Sequence, residues 1–171
     1  MKFGLSRLRF AAALSLLLIP AAAQAVPAIQ SSTSQAAILS PLGVVKQADL
    51  DYGELVVSGA GTAIIDPVSG AMTTSATLVP VAAKYHPAKF TGTGSKNSVV
   101  HIRLPTGSIA LTRLGGTETV TVSNWTLDGS SNRRIPPSDI FDFAVGATLN
   151  VAAGQVAGIY QGTFDVTVQY P

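Results

Sequence analysis

Tyr160-Gln-Gly-Thr-Phe-Asp-Val-Thr-Val-Gln-Tyr170 decides the fold class of this chain. Tyr160, Phe164, Val166, Val168 and Tyr170 alternate with Gln161, Thr163, Asp165, Thr167 and Gln169, and Gly162 falls in the apolar phase. A period of two sends alternate side chains to opposite faces of an extended chain, so this segment reads as a β-strand with one buried face. Toward the N-terminus, similar segments recur with turn residues between them. Residues 140–145 and 148–151 read as short strands separated by Gly146-Ala147, and residues 130–137 as a polar loop. Residues 109–114 and 118–127 flank Gly115-Gly116, a pair that takes positive φ at no steric cost. Within 118–127 the apolar phase slips between Val122 and Trp125. A bulge near Ser123–Asn124 reconciles this, because one extra residue exchanges the two faces. Residues 98–104, 88–93, 71–81, 62–66 and 51–57 supply further strands, and 36–44 a first strand interrupted by Pro41. About nine or ten strands at this spacing, with no amphipathic helix, predict an all-β fold, a β-sandwich or barrel.

The other end of the chain carries an export signal. Lys2, Arg7 and Arg9 precede the apolar run Phe10–Ile19, Pro20 breaks it, and Ala23-Gln-Ala25 offers the small residues of a cleavage site. The run is about half the roughly 20 residues needed to span a bilayer, so residues 1–25 read as a cleaved signal peptide. No later segment is a transmembrane candidate. The expected mature chain, 26–171, divides into a flexible N-terminal arm, 26–37, and a single β-sandwich domain, 38–171. Of 11 basic and 9 acidic residues, three basic ones lie ahead of the cut, leaving eight against nine and a net charge of −1. That balance excludes a basic stripe for nucleic acid or for an anionic membrane. The chain has no cysteine, so an exported domain depends on packing and backbone pairing alone.

The residues that carry chemistry are sparse. A hydrolase triad needs a histidine beside an activated serine. Of the two histidines, His101 reads as an exposed strand residue and His86, ahead of Pro87, as a loop residue. Asp49, Asp51 and Glu54, and likewise Asp139 and Asp142, could form a carboxylate pair. No aromatic-rich sugar platform accompanies them, and calcium asks for six to eight oxygen ligands. The acidic group reads as a solvated edge that discourages edge-to-edge pairing. Gly92-Thr-Gly-Ser-Lys96 lacks the spacing and following helix of a phosphate loop. The expectation is a protein that is not an enzyme, with no cofactor and no metal.

Three stretches carry a family resemblance: Asp49-Leu-Asp-Tyr-Gly-Glu-Leu55, Val145-Gly-Ala-Thr-Leu-Asn-Val151 and Gly158-Ile-Tyr-Gln-Gly-Thr-Phe-Asp-Val-Thr-Val-Gln-Tyr170. They look like the domain-of-unknown-function 4402 family of exported proteobacterial β-domains, over nearly all of the mature chain. The C-terminus also resembles the chaperone–usher pilins, which carry a glycine fourteen residues from the end and a penultimate tyrosine, here Gly158 and Tyr170. That resemblance implies an all-β, Ig-like antiparallel β-sandwich lacking one strand, completed by donor-strand exchange. Gly158, Tyr160, Phe164, Val166, Val168 and Tyr170 become the polymerisation and chaperone contacts, with Phe164, Val166 and Val168 in the groove wall. Val26, Ala28, Ile29, Ala36 and Ile38 become the donor arm. The partners implied are copies of the chain in a head-to-tail fibre, a periplasmic chaperone and an outer-membrane usher.

The arm is polar for a donor, with Ser, Thr and Gln filling most of 30–35. Either the donor lies toward 36–44, or the domain is self-complete and the arm is a tether. The first reading makes the chain a structural subunit of a bacterial surface fibre, exported through the inner membrane to the surface or periplasm. The second makes it a self-complete secreted or surface-attached binding module for glycans or a host protein. A single domain leaves no room for a separate receptor-binding domain, which favours shaft over tip.

Overall fold

The computed structural model describes Thr33 and residues 35–171. The expected signal peptide, and Val26, Ala28 and Ile29 of the expected arm, lie outside the described residues. Residues Ala37–Pro171 form one compact unit, and the fold is all-β: the strands pair antiparallel, with no helix among the described residues.

One strand organises the rest. β11 (Ile140–Val151) buries nine of its twelve positions, on both faces, from Phe141 and Phe143 through Val145, Ala147 and Leu149, with Ala144 and Thr148 covered as well. Burial on both sides is the condition of a central strand. Along one edge β11 pairs first with β6 (Ala88–Thr93) and then with β3 (Gly61–Ile65); along the other it pairs with β9 (Thr119–Leu127). The sheet extends from β6 to β1 (Gly43–Ala48), from β3 to β4 (Met72–Thr74), and from β9 through β8 (Ile109–Arg113) to β12 (Tyr160–Gln161). It thus holds eight strands. A three-stranded sheet, β10 (Asn132–Arg134), β7 (Val99–Arg103) and β13 (Thr167–Gln169), packs against it as the second layer of a β-sandwich. A two-stranded ribbon, β2 (Leu55–Val57) with β5 (Leu78–Pro80), stands apart in pairing.

The core has two centres. One gathers Val100 and Ile102 of β7 against Phe141, Phe143 and Val145 of β11, with Phe90 stacked on Phe143 at 5.1 Å. The other gathers Ile65, Val120, Val122, Leu149 and Val151 with Leu78 and Tyr52. Leu50 and Trp125 pack against both. The expected bulge is present: Gly146 faces Thr126 and Thr148 faces Ser123, so β9 holds one extra residue there, and Asn124 takes a φ of 50°. Val120 and Val122 are buried before the bulge, and Trp125 and Leu127 turn inward after it.

Several sequence expectations are corrected. Gly146-Ala147 does not separate two short strands but is the middle of continuous β11. A Cβ on Gly146 would lie 2.1 Å from the Ile65 carbonyl oxygen, so glycine is there to let β3 approach. The polar loop 130–137 contains β10, whose Arg133 reaches Asp128 at 2.7 Å and the Asp142 carbonyl oxygen at 2.7 Å. The first strand begins at Gly43 and not at Ala36, because residues 35–41 are exposed and unpaired. The C-terminal alternating segment is divided: β12 pairs with β8 in the large sheet and β13 with β7 in the small one. Between them, residues 162–166 pair with no other described segment as the chain crosses from sheet to sheet.

Candidate functional site

The alternation in 160–170 holds even where pairing lapses. Phe164, Val166, Val168 and Tyr170 all turn toward the core, because the period of two is a property of extended backbone and needs no neighbour. What pairing leaves free is an edge. β13 is the last strand of its sheet, β1 is the last of the large sheet on that side, and β2 pairs only with β5. Each presents a row of N–H and C=O groups with no strand partner among the described residues.

Two of these margins, β1 and β2, lie along one wall of an open cleft, the run from Lys46 at the end of β1 through Tyr52 to Val57. The other wall runs from Gln155 to Phe164 and includes β12, the opposite end strand of the large sheet. The floor is apolar, with Leu111, Val120, Val122 and Leu149 from β8, β9 and β11, and with Phe90 and Trp125 at one end. The cleft has two halves, of about 570 and 720 Å³. Large apolar side chains stand exposed along its rim: Val56 (57%), Val156 (44%) and Ile159 (63%). A contiguous apolar rim of this kind marks a site of association more often than an unused surface.

The residues proposed from sequence separate into three places. Gly158, Tyr160 and Phe164 line the cleft. Gly158 takes a φ of 155°, and a Cβ there would meet Arg113 Cδ at 2.8 Å, so glycine lets the wall pass over that side chain. Arg113 is held at 2.7 Å by Glu118, and the charge-assisted hydrogen bond keeps the Glu118 carboxyl below its usual range. Tyr160 accepts a hydrogen bond from Gln155 Nε2 at 2.7 Å and donates to the Val156 carbonyl, which folds the wall back on itself. Phe164 lies against Trp125 with the rings tilted by 35° and centroids 4.6 Å apart, and meets Phe90 edge-on at 6.4 Å.

Val166 and Val168 lie outside the cleft, against the core centre shared by the two sheets. Tyr170 lies beyond them and acts as a clasp. Its hydroxyl accepts from Ser95 N at 2.8 Å and donates to the Ser40 carbonyl at 2.9 Å, joining the last residues to the segment that enters β1. Of the arm residues, Ala36 and Ile38 are exposed, Ile38 at 96%, and no described residue of the arm lines the cleft. Tyr170→Phe is expected to lower stability by about 1–2 kcal/mol, the range for leaving one backbone donor unmatched. A urea titration checks this; a midpoint unchanged from the parent would mean the clasp is idle.

Leu50, Tyr52, Leu111 and Trp125 were missed as site residues. The signal was present: Ala48, Leu50 and Tyr52 alternate with Asp49, Asp51 and Gly53, a period of two that the acidic residues obscured. Those acids have local roles. Asp51 pairs its backbone with His86, and its carboxylate accepts from Gly53 N at 2.8 Å, while Asp49 meets Lys46. His101 Nδ1 lies 2.7 Å from Asn132 Oδ1 on the neighbouring strand. Among the described residues no group of three or more His, Cys, Asp or Glu side chains is placed to hold a metal ion.

The chain is therefore an antiparallel β-sandwich domain with an apolar cleft between unpaired edges. It belongs to the family described as "Domain of unknown function (DUF4402)", which matches residues 42–170. No curated protein and no solved structure matches it.

Proposed function

We propose that this chain is a structural subunit of a bacterial surface fibre, and that the cleft receives an extended segment from a second copy. The observation that carries this reading is the pairing pattern: an apolar floor lies between two walls that include β1 and β12, the end strands of the large sheet, each with one edge that no strand among the described residues pairs. An added strand supplies both things such a margin lacks, main-chain hydrogen bonds along its edge and alternate side chains toward the floor. Each new backbone hydrogen bond is worth about 0.5–1.5 kcal/mol net. Covering a half-exposed Val56 or Ile159 adds on the order of 1 kcal/mol, roughly half the value of full burial.

The occupant is the N-terminal segment of the neighbouring copy. Gly43 and Val44 are already paired in β1, which supports a donor that lies ahead of them. The segment from the expected cleavage point to Ala37 has twelve residues, an extended length of about 40 Å. The facing wall from Gln155 to Phe164 is ten residues, about 33 Å by the same measure. Insertion of one copy's arm into the next is a heterologous contact that propagates as a fibre. Export, and capture by a periplasmic chaperone and an outer-membrane usher, complete the reading. A glycan-binding module is less well supported, because the Trp125 ring is engaged by Phe164 and its Nε1 by the Gly107 carbonyl at 3.0 Å.

Material sheared from the cell surface, run in SDS with and without boiling and probed for this chain, tests the proposal. A ladder that collapses to a single band only on boiling is expected. Without cysteine, such a ladder is noncovalent and kinetically trapped. A monomer in both lanes would reject polymerisation.

A further inference from the structure

Six residues border both halves of the cleft and so form its waist: Leu50, Asp51 and Tyr52 on one wall, Ile159 and Tyr160 on the other, and Leu111 on the floor. The two tyrosines differ. The Tyr160 hydroxyl has two partners. The Tyr52 side chain is 92% buried by its residual exposure of 8%, and its hydroxyl is the one buried side-chain polar atom among the described residues with no hydrogen-bond partner. Such a group costs about 1–3 kcal/mol relative to a paired one. Burial in this apolar setting also drives the phenol far above its ordinary titration range.

The segment that holds Tyr52 is the least anchored part of its wall. Asp49 to Glu54 lie between β1 and β2 in no strand ladder, joined to the body's backbone at two places, the Asp51–His86 bridge and the Val81 N–H that donates to the Glu54 carbonyl, and Gly53 takes a φ of 66°. The ring can therefore yield when a strand is laid through the waist. Backbone groups of that strand face the walls, while its inward side chains face the floor, whose Val120 shares one core centre with Tyr52 of the wall.

We propose that Tyr52 is the specificity-determining residue of the cleft, selecting an entering strand that brings a hydrogen-bonding side chain to the waist. This rests on the strand-addition reading above and adds to it what the strand must carry. The chain's own N-terminal segment meets the requirement. Gln30-Ser-Ser-Thr-Ser-Gln35 is an unbroken run of hydrogen-bonding residues, so either face of the extended segment offers one. A purely apolar donor would leave the hydroxyl buried and unpaired in the filled cleft, and the polar composition of the arm becomes a match to the site.

The test uses the mature chain as a monomer and three labelled peptides. One has the sequence of residues 26–37; a second carries Val at Gln30, Ser32 and Ser34; a third carries Val at Ser31, Thr33 and Gln35. The native peptide is expected to bind the parent more tightly than one of the valine peptides. Tyr52→Phe is expected to weaken native-peptide binding about fivefold to tenfold, the worth of one hydrogen bond, and to reverse the preference. The same variant, free of peptide, is expected to melt at or above the parent temperature, since an unpaired buried hydroxyl is removed. Equal binding of the native peptide by parent and Tyr52→Phe, or a lowered melting temperature, would overturn the role of Tyr52 while leaving strand addition standing. If no peptide binds the parent, strand addition itself fails and the selection falls with it.

Discussion

Gly146→Ala is expected to destabilise the domain by about 3 kcal/mol or more, the upper end of the range for overpacking a close-packed interior. The added Cβ would stand 2.1 Å from the Ile65 carbonyl oxygen and 2.8 Å from Pro67 Cδ. A flexible side chain could step aside, but a backbone oxygen at the end of β3 cannot move without disturbing the pairing of Thr148 with Ile64 and Leu149 with Ala63. On β11's other edge, the register shift between Gly146 and Thr148 faces the β9 bulge, so the strand cannot shift that way either. Since a domain of this size is held by roughly 5–15 kcal/mol in total, much of the protein should fail to accumulate in folded form. The check is a urea titration of Gly146→Ala beside Gly154→Ala. A Cβ at Gly154 meets nothing within 4 Å, though its φ of 71° makes that control mildly strained. Equal midpoints would show that β3 does not crowd β11 at Gly146.

The same residue shows what sequence could and could not disclose. Gly146-Ala147 reads as a break between two short strands because glycine inside an apolar run weakens a strand. The structural demand here is close approach by another strand, which leaves no local trace. The bulge near Asn124 was legible, because a one-residue slip exchanges the faces and the apolar pattern records the exchange at Val122 and Trp125. The inward direction of Phe164, Val166 and Val168 was legible for the same reason. Their pairing was not: alternation specifies which face is buried and says nothing about which sheet receives the edge, so the division into β12 and β13 could not be read. β10 was hidden because Asn132, Arg133 and Arg134 look like loop residues. On an edge strand polar side chains are tolerated, and Arg133 finds its partners in the Asp128 carboxylate and the Asp142 carbonyl on either side of β10 in the chain, with no helical or period-two spacing to reveal them. Of the cleft, Tyr160 and Phe164 were named in advance. Tyr52 was passed over because its neighbours Asp49, Asp51 and Glu54 drew attention to charge.

Deleting residues 26–37 is expected to leave the subunit folded and to remove the boiling-sensitive ladder entirely. The compact unit begins at Ala37, and the contacts that secure the entry to β1, Leu42 on the core and the Ser40 carbonyl on Tyr170, are kept. Stability should therefore change by no more than about 0.5 kcal/mol, as for surface changes away from packed features. Assembly should change completely, since the truncated chain keeps a cleft and loses what fills its neighbour's. Mixing makes the polarity visible. A chain that can accept an arm but not donate one adds to a growing end and stops it, so a minor fraction of truncated subunits should shorten the ladder far out of proportion to its abundance. A closed two-fold dimer responds differently, losing only the fraction of pairs that contain a truncated partner, because an isologous contact does not propagate. A full-length ladder formed by the truncated chain alone would place the donor elsewhere in the sequence. A ladder that shortens only in proportion to the truncated fraction would replace the fibre with a closed assembly.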